Sequence, residues 1–327
     1  MRQSFSFKNR QGTHGVFQKS GNTIYYYLDN NHFPIQGTAQ WEQWTQQVDG
    51  GYLKGDKETP TVDSISFFLL RYAETINHEV FELTEIESPG EYFPRINRGN
   101  IDFNYINDSF HLDMRSYRNI QNSLDDLFNV IEPDKKNFSS YGHKIRELLI
   151  ISCTEVEYLL LKALTENGYT KKSIYKTIDY INCLTLFRLN EYKATLTQYS
   201  NIKIFSPFDG WDRNSPTRSL RWYDAYNAVK HNRGDNIAEA NFEHVLDSVA
   251  AIHILLEAQY GGKIFDKFHQ RSDDKSLFTT TAAPTWIPLE MSIPIFEGPS
   301  GKAKWTHSRE YYSIHPLSKK QTMPHKS

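Results

Sequence analysis

Residues 141–167 read YGHKIRELLIISCTEVEYLLLKALTEN, and the reading of this stretch decides the fold of the middle of the chain. Ile145, Leu148, Leu149, Val156, Leu159, Leu160 and Ala163 recur at spacings of three and four, the period of one helix face. Ile150, Ile151, Leu161 and Leu164 widen the stripe, so the pattern predicts a helix buried on most sides. Ser139 or Ser140 offers a cap at its start and Gly168 a stop at its end. Downstream, Lys171 to Asn190 predicts a second helix, and Tyr192 to Phe205 turns strand-like. Pro207, Gly210 and Pro216 mark a long loop. A third helix is expected from near Ser219 to near Asn232. A fourth uses Phe242, Val245, Leu246, Val249, Ile252 and Leu256 and stops at Gly261-Gly262.

Upstream, the texture changes to short alternating segments and loops. Tyr25-Tyr26-Tyr27 before Asp29-Asn30-Asn31 reads as a strand entering a turn. Val62 to Ile76 fits neither helix nor strand period cleanly, whereas Ile101 to Ile106 alternates with period two. Arg115 to Ile131 predicts a helix that stops before Pro133. The last segment, 263–327, holds six of the 13 prolines (Pro284, Pro288, Pro294, Pro299, Pro316 and Pro324), which excludes a long helix. Its Trp286, Ile287, Leu289, Ile293, Ile295 and Phe296 are too apolar for a solvated linker and are expected to lie extended against the first domain. Residues after about Ser318 are expected to be disordered. The expectation is an α+β protein: a mixed α/β domain over 1–135, a helical domain over 138–262, and an extended Pro-rich tail over 263–327, disordered at its end.

The chain has 327 residues, 37 basic against 39 acidic, and a formal charge of −2. That balance excludes a protein that coats nucleic acid through a large basic face. A mean hydropathy of −0.62 and the lack of a long apolar run argue against a membrane helix. The start, Met1 to Arg10, has no apolar stretch of the secretory kind. Cys153 and Cys183 are too few for a disulfide framework and read as half-buried thiols in a reducing compartment, so a cytoplasmic location is expected. Twenty Tyr, 20 Phe and 6 Trp give ample material for a core.

No phosphate-cradling Gly-x-x-x-x-Gly-Lys-Ser/Thr, no Gly-x-Gly-x-x-Gly and no Gly-x-Ser-x-Gly elbow occurs, and no cofactor is called for. His111-x-Asp113 and Asn77-His78-Glu79 lack the further ligands a metal needs. His244 and His253, nine apart on one helix, lie on opposite faces. Glu155 and Glu157, two apart, likewise diverge, and Glu155 reads as a solvated or capping carboxylate.

The chemistry concentrates in Ser219 to Arg233. Trp222, Ala225, Tyr226 and Val229 form an apolar helix face, while Asn227 and His231, four apart, project from another with Tyr223 a turn earlier. Lys230 and Arg233 flank the imidazole, and Arg221 lies at the helix start. An imidazole beside an amide and cations suits binding a phosphodiester and moving protons around it. The plain alternative is a structural histidine near a helix carboxyl end, where the dipole favours a cation. From Lys203 to Arg233 there are six basic residues and three acidic ones, a local excess inside a neutral chain.

The Asn-x-x-x-His unit that closes this helix, the apolar helix after it and the long helix from Tyr141 together resemble the HEPN superfamily. The resemblance covers residues 138–262 and implies a four-to-five-helix bundle. It also implies a metal-independent endoribonuclease in a bacterial toxin or anti-phage setting, with two protomers lining one cleft. Carried over by position, the family's polar residue is Asn227, its histidine His231 and its arginine Tyr226. Tyrosine supplies neither the charge nor the donor fork of arginine, so Arg221, Lys230 or Arg233 would substitute, or cleavage is lost and a protein- or nucleotide-binding module remains. In the enzyme reading RNA supplies its own 2′-hydroxyl nucleophile. His231 moves protons, Asn227 holds a phosphate oxygen or orients the ring, and Lys230, Arg233 and Arg221 stabilise the developing charge. Tyr223 or Trp222 stacks a base, with Trp222 assigned rather to the core, and Tyr226 counts among the substrate-contacting residues. The products are a cyclic phosphate and a 5′-hydroxyl. Implied partners are RNA, a second copy of the chain and a regulatory or antitoxin protein, with no membrane. Residues 1–135 carry no motif for a small-molecule enzyme.

Overall fold

The computed structural model describes residues 2–28, 35–42, 59–72, 79–98, 108–265 and 275–316 and is α+β. The chain forms two units, one of 1–93, 97–104 and 285–309, the other of 94–96, 105–284 and 310–327. The expected boundary near residue 135 therefore moves. The helix before Pro133 belongs with the later helices, and part of the proline-rich segment returns to the first unit.

In the first unit, β1 (Arg2–Asn9), β2 (His14–Ser20), β3 (Thr23–Leu28), β4 (Ile35–Gln40) and β5 (Val80–Glu85) form one antiparallel sheet in the order β4-β3-β2-β1-β5. Side chains alternate across a strand. Phe5, Phe7, Phe17, Ile24 and Leu28 accordingly meet Ile65, Phe68 and Leu69 of α1 (Val62–Tyr72) on one face. Val16, Tyr25 and Tyr27 point the other way and pack with Trp286, Met291, Ile293 and Phe296. Coverage of both faces explains why β3 is a run of aromatics without polar alternation. Buried Gln18 secures the returning segment, donating from Nε2 to the Pro294 carbonyl at 2.6 Å and accepting from the Phe296 amide at 2.9 Å. Ile287 and Leu289 remain exposed, contrary to expectation. Gly15 is required by packing, because a Cβ there would stand 2.1 Å from the Phe7 ring. Residues 88–93 and 291–309 complete the unit with β6 (Glu91–Tyr92) and three short strands numbered in chain order below. The ambiguous 62–76 stretch is helical as far as Tyr72. The expected strand 101–106, the turn at 29–31, His78 and the segment after Ser318 lie outside the described residues.

The second unit is built on four long helices: α2 (Asp108–Phe128), α3 (His143–Thr165), α6 (Arg221–His231) and α8 (Phe242–Tyr260). Between them come the short α4 (Thr177–Tyr180), α5 (Asn182–Phe187) and α7 (Arg233–Asn236), and α9 (Tyr311–Ile314) closes the described chain. Helix α8 packs against α2, α3 and α6 and is buried on nearly every side from Val245 to Tyr260. β7 (Lys193–Leu196) pairs antiparallel with β8 (Phe278–Ala282), so residues 275–284 serve the helical unit rather than a tail. The remaining strands, β9 (Ile295–Glu297), β10 (Lys302–Lys304) and β11 (His307–Ser308), belong to the first unit, where β9 pairs β10 and β11 pairs β6.

Helix α3 buries its main stripe, and Leu164 with it. Ile151 is exposed, so the helix is not enclosed on as many sides as its apolar count suggests. Neither Ser139 nor Ser140 caps it: Gly142 holds that position, and the Ser140 carbonyl instead accepts from the Phe242 amide at 2.8 Å, tying the starts of α3 and α8 together. The expected helix 171–190 is broken into α4, α5 and a single 3₁₀ turn at Leu189–Glu191. Residues 171–176 are not helical, and Arg188 ends α5, adopting φ 54° and forking onto Glu191 at 2.6 and 2.7 Å.

A buried ion network locks the helices. Arg95 pairs with Asp113 of α2 at 2.5 Å and with Glu166 at 3.1 Å, and donates to Gln259 of α8 at 3.0 Å. The Tyr260 hydroxyl donates to the same Asp113 at 2.7 Å. Cys153 and Cys183 are fully buried free thiols whose pKa burial pushes up. Among the described residues, no helix is long and apolar enough to cross a membrane.

Candidate functional site

Helix α6 sets the site. Trp222, Ala225, Tyr226 and Val229 are buried, as the apolar spacing requires, and the Trp222 indole donates to the Pro207 carbonyl at 2.8 Å. The opposite surface carries Arg221, Lys230, His231 and, beyond the helix, Arg233, all exposed. The side chains of His231, Arg221 and Arg233 have no hydrogen-bond or ion-pair partner among the described residues. Asn227 is half-buried, and its amide donates to the Tyr223 carbonyl one turn back at 2.9 Å. That bond uses one amide hydrogen and leaves the other, with Oδ1, for a ligand.

Two of the residues assigned to substrate are corrected. The rings of Tyr223 and Tyr226 are buried, 6% and 1% exposed, so neither stacks a base. Each offers its hydroxyl instead. Tyr223 donates to Glu157 of α3 at 2.5 Å, and burial together with that bond holds its phenol above the ordinary range. Lys230 donates from Nζ to the Tyr226 hydroxyl at 2.7 Å and lies 4.8 Å from the centre of its ring. That hydrogen bond, the tyrosine and Glu157 raise the Lys230 pKa, so its ammonium stays charged at neutral pH. A cation thus stands over the tyrosine that occupies the expected arginine position.

Beside this pair opens a cleft of about 470 Å³ lined by Glu157, Lys176, Thr177, Tyr180, Tyr223 and Lys230, among others. His231, Asn227, Arg221 and Arg233 do not line it. The structure therefore brings Lys230 and Tyr223 together around Glu157 and leaves the imidazole on the neighbouring helix face. Two contributors were missed in the sequence. Lys176 falls in a stretch expected to be helix interior. Arg146, on α3, donates from Nη2 to the Val229 carbonyl at 3.3 Å, meeting one of the orphan carbonyls of the last turn of α6. Its Nε is buried without a partner. Nothing in the local sequence links Arg146 to a carbonyl 83 residues away.

The other acids and histidines go elsewhere. Glu155 is neither solvated nor capping: it accepts from Ser116 of α2 at 2.7 Å, and burial raises its pKa. His111 is exposed while Asp113 is buried in the ion network, so the two do not converge. His244 donates from Nδ1 to the Glu239 carbonyl at 2.7 Å. His253 is fully buried in a polar chain. Tyr117 lies 2.8 Å from Ser276, Ser276 2.9 Å from His253 Nδ1, and His253 Nε2 2.9 Å from Thr280, which donates to Glu257 at 2.5 Å. With Thr280 donating onward, the ring donates from Nε2 and accepts from Ser276 at Nδ1. Burial lowers the imidazole to about 3 and raises the Glu257 carboxyl to about 8.

No family model matches this chain, and neither a curated protein nor a solved structure matches it.

Proposed function

We propose that the helical unit binds RNA at the carboxyl end of α6 and cleaves it without a metal, in the manner of a HEPN-type endoribonuclease. One observation carries this reading. An exposed imidazole, His231, ends α6 with Lys230 and Arg233 beside it in the chain and Arg146 on the carbonyl of Val229, and none of these cations is paired with a carboxylate among the described residues. Unpaired cations attract phosphates, and an exposed, unpartnered imidazole leaves its ring nitrogens open to a substrate hydroxyl. In this mechanism His231 takes the proton of the 2′-hydroxyl as its oxygen attacks phosphorus. The bond to the 5′-oxygen breaks, and a second imidazole, His231 of the partner subunit, protonates the leaving oxygen. The products are a 2′,3′-cyclic phosphate and a 5′-hydroxyl. Lys230, held by Tyr226, carries the charge that an arginine at position 226 would bring, and Arg233 adds to the field, whereas Arg221, at the opposite end of α6, does not reach it. Asn227 contacts a phosphate oxygen through its remaining amide hydrogen. This reading implies a homodimer in a toxin or phage-defence setting, with a regulatory partner restraining it.

The test is cleavage of mixed RNA by purified protein in excess chelator, with cyclic-phosphate ends expected and lost in His231→Ala. Equal cleavage by His231→Ala overturns the proposal. A second reading is favoured by Tyr226, which stands where the family has its arginine: a module that binds a nucleotide or partner without cleaving. RNA binding that persists in a protein without cleavage supports it.

A further inference from the structure

On the same unit, a separate cavity of about 360 Å³ is walled by α5, the loop at Arg213 and α9. Its polar and aromatic lining is Asn182, Thr185, Arg213, Tyr311, Tyr312 and His315. Pockets for small organic ligands start at about 300 Å³, so a mononucleotide is within its capacity.

Arg213 is the informative residue. It is half-buried, and both terminal nitrogens of its guanidinium donate to Asn182 Oδ1, at 3.2 and 2.9 Å. Asn182 cannot turn away, because its amide nitrogen donates to the Asp179 carbonyl at 2.6 Å and to the Tyr169 hydroxyl at 3.2 Å. Asp179 is itself engaged by Lys172, by Tyr169 and by the Lys176 amide, and these bonds hold its carboxyl below the ordinary range despite burial. The guanidinium is thus aimed by a neutral amide and has no carboxylate partner among the described residues. A partly desolvated cation without a counter-ion favours an anionic ligand.

The facing wall is aromatic. Buried Asn167 fixes it, accepting the Tyr312 amide at its carbonyl at 2.9 Å and the Tyr311 amide at Oδ1 at 3.3 Å. The Tyr311 and His315 rings lie 4.6 Å apart and tilted by 38°. An aromatic surface opposite an unneutralised arginine matches a planar base joined to a phosphate.

We propose that this cavity binds a nucleoside monophosphate, with the phosphate on Arg213 and the base against Tyr311 and His315. The site stands apart from the α6 helix end, and its argument does not depend on RNA cleavage. The test is calorimetric titration of the full-length protein with the four ribonucleoside 5′-monophosphates, with inorganic phosphate and adenosine as separate probes. At least one mononucleotide binds about tenfold or more tighter than either fragment, because stacking and charge are both engaged. Arg213→Gln weakens that binding at least about tenfold, while its ligand-free melting temperature stays that of the parent. Tyr311→Ala brings the mononucleotide down to the affinity of inorganic phosphate, and His231→Ala leaves binding unchanged. Should Arg213→Gln fail to fold, Thr185→Trp, which narrows the cavity from an exposed position, abolishes binding. The proposal is overturned by lack of binding of any mononucleotide or by inorganic phosphate binding as tightly. It is equally overturned by full affinity in Arg213→Gln or Thr185→Trp, or by loss of binding in His231→Ala.

Discussion

His231 and His253 are the same residue type on two helices of one unit, and their surroundings give them opposite chemistry. His253 is enclosed, with both ring nitrogens bonded to hydroxyls and its pKa lowered to about 3 by burial. His231 is exposed at the end of α6, without a partner and among cations. The first imidazole is a structural link that stays neutral, and the second is available for proton exchange. Helix position alone does not separate them. What separates them is whether strands or solvent cover that face.

Perturbing the buried side has the largest expected effect. Asp113→Ala leaves Arg95 facing Glu166 and Gln259 with its main counter-charge gone, and costs about 3–5 kcal/mol of unfolding free energy in urea. A loss below about 1 kcal/mol would mean that the network is hydrated. On the exposed side, His231→Ala is expected to lower RNA cleavage about 100-fold while changing stability by under about 0.5 kcal/mol. A large melting shift there would erase the contrast between the two histidines.

The pH dependence sharpens it further. The folded-state pKa of Glu257 is raised from 4.5 to about 8, so the folded protein keeps a proton that the unfolded chain releases, and stability falls as pH rises across that interval. His253 is lowered from 6.5 to about 3, so the unfolded chain binds the extra proton and stability rises with pH across that interval. From 4.5 to 6.5 the two slopes cancel, which leaves a flat optimum. Glu257→Gln removes the decline between 6.5 and about 8, readable in melts across pH; an unchanged alkaline limb contradicts the assignment. The smallest effect is Tyr223→Phe, which deletes the hydroxyl on Glu157 and costs about 1 kcal/mol in denaturant titration.

Much of the helical unit was legible from spacing. The stripe from Ile145 to Leu164 and the apolar run from Phe242 to Leu256 each reappear as buried helix faces, because a period near 3.6 leaves few alternatives. The 171–190 segment differs from its expected helix at both ends: helix begins only at Thr177, where the Asp179 carboxylate accepts the Lys176 amide, and a left-handed Arg188 with its fork to Glu191 ends it after Phe187. At the site, the inward face of α6 and the exposure of Lys230, His231 and Arg233 followed from helical geometry. The burial of the Tyr223 ring did not, and Tyr226, placed on the inward face by spacing, was also assigned to substrate, since amphipathic tyrosines fit either surface.

The sequence by itself determined the helix periods, the neutral total with a basic excess from Lys203 to Arg233, and the absence of nucleotide-loop and nucleophile-elbow motifs. Only the tertiary structure decided which partners those residues meet. Arg146 reaches the end of α6, Glu157 receives Tyr223, Asn182 aims Arg213, and the segment around Trp286 covers the back of the sheet. The physical reason is range. Periodicity reports on neighbours within a turn or two, whereas hydrogen bonds and burial depend on contacts between residues tens or hundreds of positions apart.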